Sequence, residues 1–145
     1  MTHTDLTERE MNDIMRVDVR KLYEDDSWGW FSYDPMIEAF GDVAIRVDAG
    51  SYQGDTYVLY EDNGKFGYLT FGWGSCSGCD ALQACGSLRE VQRLCDSLQN
   101  SIMWFGTKAE ALEWFKTHDW KGDWCWWNGV SEFVDKVIAY LSKEN

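Results

Sequence analysis

The sequence is poor in the residues that mark linkers, membrane spans and histidine chemistry. Its 145 residues include one proline, Pro35, and two histidines, His3 and His118. There is no internal repeat, linker or low-complexity tract, which argues against a disordered chain. No apolar run approaches the roughly 18 residues of a transmembrane helix. The opening residues, Met1–Asp5, are polar and acidic, so no signal peptide is predicted, and we expect a cytoplasmic protein with reduced thiols and no membrane contact.

Recognisable catalytic signatures are also missing. The sequence contains no P-loop, no G-x-S-x-G elbow and no H-E-x-x-H motif. The zinc-deaminase pattern needs H-x-E before P-C-x-x-C, and both the His-x-Glu and the proline are absent. His118 falls at the end of a predicted helix, where a cation is mildly favoured without any catalytic role. The sequence therefore predicts a protein that is not an enzyme.

Basic residues are scarce, and the resulting charge is uneven along the chain. Lysine and arginine number 13 against 25 aspartates and glutamates, which gives a net charge of −12. Residues 1–62 hold 15 acidic and 5 basic side chains, a net charge of −10, and residues 63–145 hold 10 and 8, a net charge of −2. Such a field repels phosphates, so direct nucleic-acid binding is not expected. The negative charge favours a partner protein with a basic surface, including a groove that normally holds DNA or RNA. The alternative is that the acidic residues only keep the protein soluble.

The residues that are abundant predict one folded domain, 1–145. Hydrophobic residues make up 45% of the chain and aromatic residues 16%, enough for a substantial core. Nine tryptophans indicate large contact areas, either in a core or on a binding surface.

Three strands and a hairpin turn are predicted in the middle of the chain. Residues 43–48 alternate so that Val43, Ile45 and Val47 share one face. Residues 56–61 are rich in β-formers, and Asn63-Gly64 is a strong signal for a type I′ turn. The return strand, 65–73, places Gly67, Leu69, Phe71 and Trp73 on one face and Phe66, Tyr68 and Thr70 on the other. These strands predict an antiparallel meander, to which residues 101–105 could add a fourth short strand.

Capping boxes mark the starts of three predicted helices. Thr7–Glu10 opens a helix to about residue 23, Ser87–Glu90 one to about residue 99, and Thr107–Glu110 one to about Thr117. A last helix, from about Ser131 to Ser142, carries an apolar stripe. Residues 28–40 are aromatic and irregular, and their pattern favours no element. The whole pattern predicts an α+β fold, in which an antiparallel sheet of three or four strands has one helix before it and the others after it.

The cysteines include one cluster with the spacing of a metal site. Cys76 and Cys79 form a C-x-x-C knuckle directly after the third predicted strand, and Cys85 follows six residues later. Zinc prefers four ligands in a tetrahedron, with thiolates favoured in structural sites. In a chain without an export signal, a metal explains such a cluster better than disulfides do. We therefore predict a structural zinc ion bound by Cys76, Cys79, Cys85 and Cys95.

The fourth zinc ligand stays open among several side chains. Cys95 is the nearest thiol, but it falls on the apolar face of its predicted helix. His118, Asp80 and Cys125 are the alternatives. Three other interpretations of the cluster remain: a redox-active C-x-x-C, ordinary buried or surface thiols, and disulfides. A closed four-ligand site would leave no position for a catalytic water, so a bound zinc is expected to be structural.

An aromatic segment beside carboxylates is the predicted partner-binding region. Trp28 and Trp30 flank a glycine in this segment. The carboxylates near them are those of Glu24, Asp25, Asp26 and Asp34. Such a surface suits a protein rich in lysine and arginine, through packing, charge and cation–π contacts. The alternative is that these rings cover one face of the sheet, since nine tryptophans cannot all be exposed in a soluble monomer.

One stretch carries a resemblance to known proteins. Residues Gly67–Cys85 read GYLTFGWGSCSGCDALQAC, and Ser51–Asp55 upstream read SYQGD. Together they resemble small proteins of bacteriophages and prophages. In size, acidity and cysteine knuckle, the chain is similar to zinc-binding anti-CRISPR proteins directed at type II (Cas9) effectors.

The resemblance implies a function that composition alone does not. It implies binding to a basic surface of Cas9 and obstruction of guide or target nucleic acid, with the acidic N-terminal half as the contact region. We accordingly expect a phage-encoded, zinc-binding inhibitor of a CRISPR effector in the cytoplasm of the host cell. The alternatives are a zinc-stabilised adaptor or regulatory domain with another partner, and a metal-dependent enzyme.

Overall fold

A four-stranded antiparallel sheet organises the protein. The computed structural model describes residues 17–23, 32–50, 53–74, 80–120 and 130–143. The strands are β1 (Val43–Gly50), β2 (Gln53–Asp62), β3 (Lys65–Gly74) and β4 (Met103–Phe105), and they lie in that order across the sheet. The predicted meander is confirmed, and so is its short fourth strand.

The hairpin between β2 and β3 forms where the sequence predicts it. Every residue of β2, from Gln53 to Asp62, pairs with a residue of β3. Asn63 and Gly64 link the strands with φ angles of +50° and +86°, the positive values that a type I′ turn needs. Asparagine and glycine tolerate this conformation best, so the turn fixes the register of the two central strands.

A β-bulge changes which residues of β1 face the helices beside them. Val43 pairs with Tyr60 and Ile45 pairs with Leu59, so Ala44 is an extra residue in β1. Val43 consequently lies on the Tyr60 side of the sheet, where it is 40% exposed. The prediction that Val43 shares the face of Ile45 is wrong, because the alternation restarts after the bulge.

Four helices and a 3-10 turn surround the sheet in the described ranges. The helices are α1 (Asp34–Ala39), α2 (Leu88–Ser101), α3 (Lys108–Thr117) and α4 (Val130–Leu141), and the 3-10 turn is Val19–Lys21. The helices predicted after the sheet are confirmed as α2, α3 and α4. No helix in these ranges is both long enough and apolar enough to cross a membrane.

The chain before the sheet differs from the prediction. Residues 8–16 of the predicted first helix lie outside the described ranges, and residues 17–23 are not α-helical. Asp18 is extended, with φ −95° and ψ 107°, and its side chain accepts a hydrogen bond from the Arg20 N–H at 3.0 Å. Because this contact caps a separate 3-10 turn, the predicted continuation of a helix to residue 23 is wrong.

The helices α2 and α3 begin at matching capping boxes. The Ser87 and Thr107 hydroxyls accept hydrogen bonds from the N–H groups of Glu90 (3.3 Å) and Glu110 (3.1 Å). Each glutamate side chain accepts in turn from the N–H of the glycine before the cap, at 3.1 Å in α2 and 3.2 Å in α3. Both predicted helix starts are confirmed, because the exposed N–H groups of each first turn find local acceptors.

Both faces of the sheet are buried. One face packs against the 3-10 turn, α1 and α2 to form what we call the first core, which includes Val19, Met36, Ile37, Val58, Tyr60, Leu69, Leu82, Val91 and Cys95. The other face packs against α3 and α4 to form the second core, which includes Val47, Tyr57, Leu59, Phe66, Ala111, Phe115, Phe133 and Val137. Alternate residues of β2 and β3 enter opposite cores, as the period of a strand requires.

Candidate functional site

Two of the predicted zinc ligands lie in the part of the chain that the structure describes. Cys76 and Cys79 lie outside it, and so does the alternative ligand Cys125. Cys95 belongs to α2 and is fully buried in the first core. Cys85 ends the segment before α2, is partly buried and packs against the same core. The two described thiols therefore lie on the same side of the sheet.

Tyr23 belongs to the core that holds Cys95 and against which Cys85 packs. Its side chain is buried in the first core, and this burial is the main cause that raises the pKa of its hydroxyl. The charges of Cys95, Asp34 and Cys85 raise the same pKa further, in that order. Cys95 belongs to the first core with Tyr23, and Cys85 packs against that core, so the placement of the two thiols fits one site that uses both.

The surroundings of Cys85 keep its side chain a neutral thiol. Burial raises the pKa of Cys85, and the nearby carboxylates of Glu90 and Asp80 raise it further. Its Sγ donates a hydrogen bond to the Ala81 carbonyl oxygen at 3.3 Å. A zinc ion binds the thiolate form, so it would have to displace the proton of this group.

Asp80 anchors the segment that carries Cys85. Its side chain is 5% exposed. Oδ1 accepts hydrogen bonds from Tyr33 Oη (3.0 Å), Leu82 N (2.9 Å) and Gln83 N (3.1 Å), and Oδ2 accepts from Gly74 N (2.9 Å). These bonds join the end of β3 to the residue before α1 and to the turn at 81–84. They occupy most of the acceptor capacity of the carboxylate, so the structure favours an anchoring role for Asp80 over zinc ligation.

His118 lies on the other side of the sheet from Cys95. It follows α3, and its ring stacks on that of Trp114 with the ring centres 4.4 Å apart. Trp120, which belongs to the second core, contacts the His118 ring edge-on at 4.6 Å. The sheet separates this cluster from the first core, so one ion cannot bind both His118 and Cys95.

Cys85 and Cys95 are the two predicted zinc ligands that can be placed in the fold. In the ranges that the structure describes, no three side chains of His, Cys, Asp or Glu converge to hold a metal ion. A site built on Cys85 and Cys95 therefore also needs Cys76 and Cys79, the pair that the sequence predicts. A zinc ion bound by four thiolates would have a structural role, because it has no open coordination position for a catalytic water.

Of the residues predicted to bind a partner, Asp34 lies in the described ranges. Glu24, Asp25, Asp26, Trp28 and Trp30 lie outside them. Asp34 is exposed in the first turn of α1 and forms an ion pair with Arg46 at 2.8 Å. Arg46 also pairs with Asp48 at 3.0 Å. Because Arg46 offsets its charge, Asp34 offers a weaker contact to a basic partner than its sequence context suggests.

These ion pairs line a small cavity of about 230 Å³ near the carboxyl end of β3. Its walls are formed by Ser32, Tyr33, Asp34, Arg46, Asp48, Thr56, Trp73, Gly74 and Asp80. Arg46 engages Asp34 and Asp48, and backbone and phenol donors engage Asp80. The lining has a net charge of −2, but each of its three carboxylates already has an ionic or hydrogen-bonding partner.

A larger groove lies at the opposite end of the sheet. It has a volume of about 470 Å³ and is lined by Phe40, Gly41, Asp42, Glu61, Asp62, Lys65, Gln99, Ile102 and Trp104. We call it the Trp104 groove. The β2–β3 hairpin meets the ends of α1 and α2 here. Three carboxylates and one ammonium give its lining a net charge of −2. Sequence reasoning missed this site, because its walls come from separate segments of the chain.

Trp104 forms an exposed but well supported wall of this groove. The residue is 44% exposed, and it pairs with Gly67 of β3. A Cβ atom at Gly67 would lie 2.9 Å from the indole atoms Cε3 and Cζ3 and also from Ile102 Cγ2. The indole therefore rests against the glycine backbone, with the Tyr60 ring centre 6.3 Å away. Glycine at position 67 is what permits this close approach.

The carboxylates of the groove differ in how they are engaged. Glu61 accepts a hydrogen bond from the Tyr140 hydroxyl, and this bond raises the pKa of Tyr140. Within the described ranges, no donor or cation contacts the side chains of Asp42 and Asp62. Both residues are exposed. They are therefore the groove charges that an incoming cation can bind without displacing another group.

Comparisons with protein-family models, with curated proteins and with solved structures find no match for this chain. The Trp104 groove and the cysteine segment are therefore the features that bear on function.

Proposed function

We propose that this protein is an inhibitor that binds a basic surface of another protein and blocks its access to nucleic acid. The observation that carries the proposal is the Trp104 groove, where an exposed indole stands beside the carboxylates of Asp42 and Asp62. The net charge of −12 adds long-range attraction to a basic partner and repels nucleic acid itself. A protein with these properties can compete with DNA or RNA for a basic groove.

The partner that we propose is a type II CRISPR effector of the Cas9 type. Support comes from the resemblance of Gly67–Cys85 to phage proteins and from the acidic surface of the groove. Effectors of this type hold guide and target strands in a positively charged channel, which is the kind of surface that the groove complements. A phage-encoded inhibitor of this kind would act in the cytoplasm of the host cell.

We also propose a structural zinc ion bound by Cys76, Cys79, Cys85 and Cys95. The placement of Cys95 in the first core, with Cys85 packed against the same core, supports it. Such an ion would hold the cysteine segment against the first core. Mass spectrometry of freshly purified, reduced protein is expected to find about one zinc ion per chain, and none in Cys79→Ser. Wild-type protein without metal would leave the cysteines as ordinary thiols.

Two other functions remain as alternatives. An adaptor or regulatory domain could use the same groove. The groove is suited to any positively charged protein surface, and a nuclease is one of several proteins that have such a surface. A metal-dependent enzyme would need an ion with an open coordination position. A closed site with four protein ligands would count against the enzyme, and we propose no catalytic activity.

Inhibition of a Cas9-type nuclease tests the proposal. Adding the protein before the guide RNA is expected to lower target cleavage, and to do so more strongly at low salt than at high salt. The double reversal Asp42→Lys with Asp62→Lys is expected to weaken inhibition about tenfold or more. The matched control is Glu113→Lys with Asp135→Lys, which changes the net charge equally at exposed positions of α3 and α4.

The outcomes of this assay are distinct. Equal loss of inhibition in both double variants would show that net charge acts without the groove. Reversing Glu24, Asp25 and Asp26 in the same assay tests the contact region predicted from the sequence. If the wild-type protein left the nuclease fully active but still bound other basic proteins through the groove, the adaptor would be the better account.

A further inference from the structure

The Trp104 groove has the features of a pocket for one side chain of a partner protein. Its inner walls include Phe40 and Ile102, which are 9% and 8% exposed and belong to the first core. Its rim carries the carboxylates of Asp42 and Asp62. Apolar walls below a charged rim suit a long side chain that has an apolar stem and a cationic end.

The indole of Trp104 is preorganised to receive such a side chain. The Gly67 backbone and the Tyr60 ring support it from the sheet side, while 44% of the residue stays exposed. A rigid aromatic surface loses little conformational freedom when a partner covers it. Tryptophans in this situation often contribute much of the affinity of an interface.

The charge of the groove selects the class of side chain that it can bind. Asp42 and Asp62 are exposed and unpaired within the described ranges, and Lys65 is the one basic residue among those that line the groove. Acidic side chains and phosphates are therefore repelled. Of the two common cations, arginine fits better, because its planar guanidinium stacks on an indole while its edge N–H groups still reach a carboxylate.

We propose that the groove binds a single arginine side chain of the partner, with the guanidinium against the exposed face of Trp104 and its N–H groups on Asp42 or Asp62. The apolar stem of the arginine lies along Phe40 and Ile102. This assignment rests on the proposed function, since the arginine belongs to the basic surface that the protein covers.

A nine-arginine peptide is the probe, and a nine-lysine peptide of equal charge is the comparison. Binding is followed by NMR of ¹⁵N-labelled protein, in which the Trp104 indole N–H signal is assigned from its loss in Trp104→Phe. The arginine peptide is expected to shift this signal as it binds. The lysine peptide is expected to bind about threefold more weakly, because an ammonium stacks less well on an indole.

Trp104→Ala is expected to weaken binding of the arginine peptide about tenfold, as loss of a partly desolvated cation–π contact would do. Met103→Ala is the matched control. Met103 is 43% exposed and precedes Trp104 in β4, but it does not line the groove. Its replacement is expected to leave the affinity unchanged.

Several results would overturn the arginine assignment. One is an unshifted Trp104 signal while the peptide binds, and another is equal affinity of Trp104→Ala and Met103→Ala. Equal affinity for the arginine and lysine peptides would also overturn it. If Trp104→Ala fails to fold, Trp104→Leu decides instead, because it keeps an apolar side chain but removes the aromatic face; it is expected to weaken binding about tenfold, and unchanged affinity would overturn the assignment. Failure of the proposed function would be distinguishable, since the peptide would then bind at Trp104 while the nuclease stayed fully active.

Discussion

The helices on the two faces of the sheet are held in different ways. In the second core, aromatic rings account for much of the packing. Among the described residues, the Tyr68 ring contacts those of Trp114, Phe115, Trp120 and Phe133, with ring centres 5.5 to 5.8 Å away. Such contacts bury a large apolar area but impose only a loose preference on ring orientation.

The first core adds directional hydrogen bonds to its apolar packing. The Tyr60 hydroxyl donates to the Ile37 carbonyl oxygen of α1 at 2.7 Å. The Gln92 side-chain amide donates to the Val17 carbonyl oxygen at 2.7 Å and accepts from the Val19 N–H at 3.1 Å. These bonds fix where short segments of the chain sit against the sheet.

The hydrogen bonds on the first-core side affect the shape of the protein surface as well as its stability. The 230 Å³ cavity and the Trp104 groove both open on the first-core side. Their walls include short segments that apolar packing alone would orient poorly, because the hydrophobic effect has no direction. Apolar packing in both cores stabilises the fold, and the hydrogen bonds of the first core also position the segments that line these two openings.

The largest effect is expected from a ring of the second core. Phe133 is fully buried, and its ring lies 5.6 Å from that of Tyr57 and 5.7 Å from that of Tyr68. Phe133→Ala is expected to lower the free energy of unfolding by about 4 kcal/mol, because it leaves a cavity among aromatic rings. Equilibrium urea unfolding measures the loss. Asp135→Ala, at an exposed position of α4, is the control and should stay within about 0.5 kcal/mol of wild type.

Removal of the Asp80 carboxylate is the matching test on the first-core side. Asp80→Ala is expected to lower the free energy of unfolding by about 3 kcal/mol, because it leaves several buried donors unpaired. Tyr33→Phe removes the hydroxyl that donates to Asp80 and accepts from the Leu82 N–H, and it keeps the ring contact with Phe71 at 4.6 Å, so about 1 kcal/mol is expected. Equal losses in the two variants would show that Asp80 is not the anchor of its segment.

A methyl group at Gly67 is expected to disturb the Trp104 groove. Gly67→Ala should lower the free energy of unfolding by about 2 kcal/mol and displace the indole, because the new Cβ overlaps Trp104 and Ile102. The control is Gly72→Ala in the same strand, where the nearest atom, Asp55 Oδ1, is 3.5 Å from the added Cβ. Urea unfolding and the Trp104 indole signal report the two effects. Equal stability of both variants would contradict the close approach at Gly67.

The smallest effects are expected at the helix caps. Ser87→Ala and Thr107→Ala should each lower the free energy of unfolding by about 1 kcal/mol, since each removes one N-cap acceptor. The first caps a helix of the first core and the second a helix of the second core. Similar losses would show that capping is local, whereas a large difference would mean that one face depends on its helix start more than the other.

The sequence predicted the hairpin turn and two helix starts because each depends on residues that are close together in the chain. The turn at Asn63 and Gly64 requires positive φ angles, and the boxes at Ser87 and Thr107 satisfy their own N–H groups. These features involve residues within a few positions of one another. The sequence therefore predicts the central hairpin and the starts of α2 and α3 well.

Features that depend on distant contacts escaped prediction. α1 has six residues and relies on burial of Met36 and Ile37, which no periodic pattern of that length reveals. The bulge at Ala44 depends on how β1 pairs with β2. The groove depends on Trp104 resting against Gly67, residues that only the folded sheet brings together. Candidate ligands such as Cys85 and Cys95 were visible in the sequence, but their common side of the sheet was not.

Asp42 and Asp62 are the proposed contacts to the basic surface of the partner. The most direct measurement is the equilibrium affinity for a Cas9-type nuclease of three proteins at one salt concentration: the wild type, Asp42→Lys with Asp62→Lys, and Glu113→Lys with Asp135→Lys. If these contacts form, the groove variant binds about tenfold more weakly or worse, and the control variant stays close to wild type. Equal affinity of the two double variants would contradict the proposed contacts.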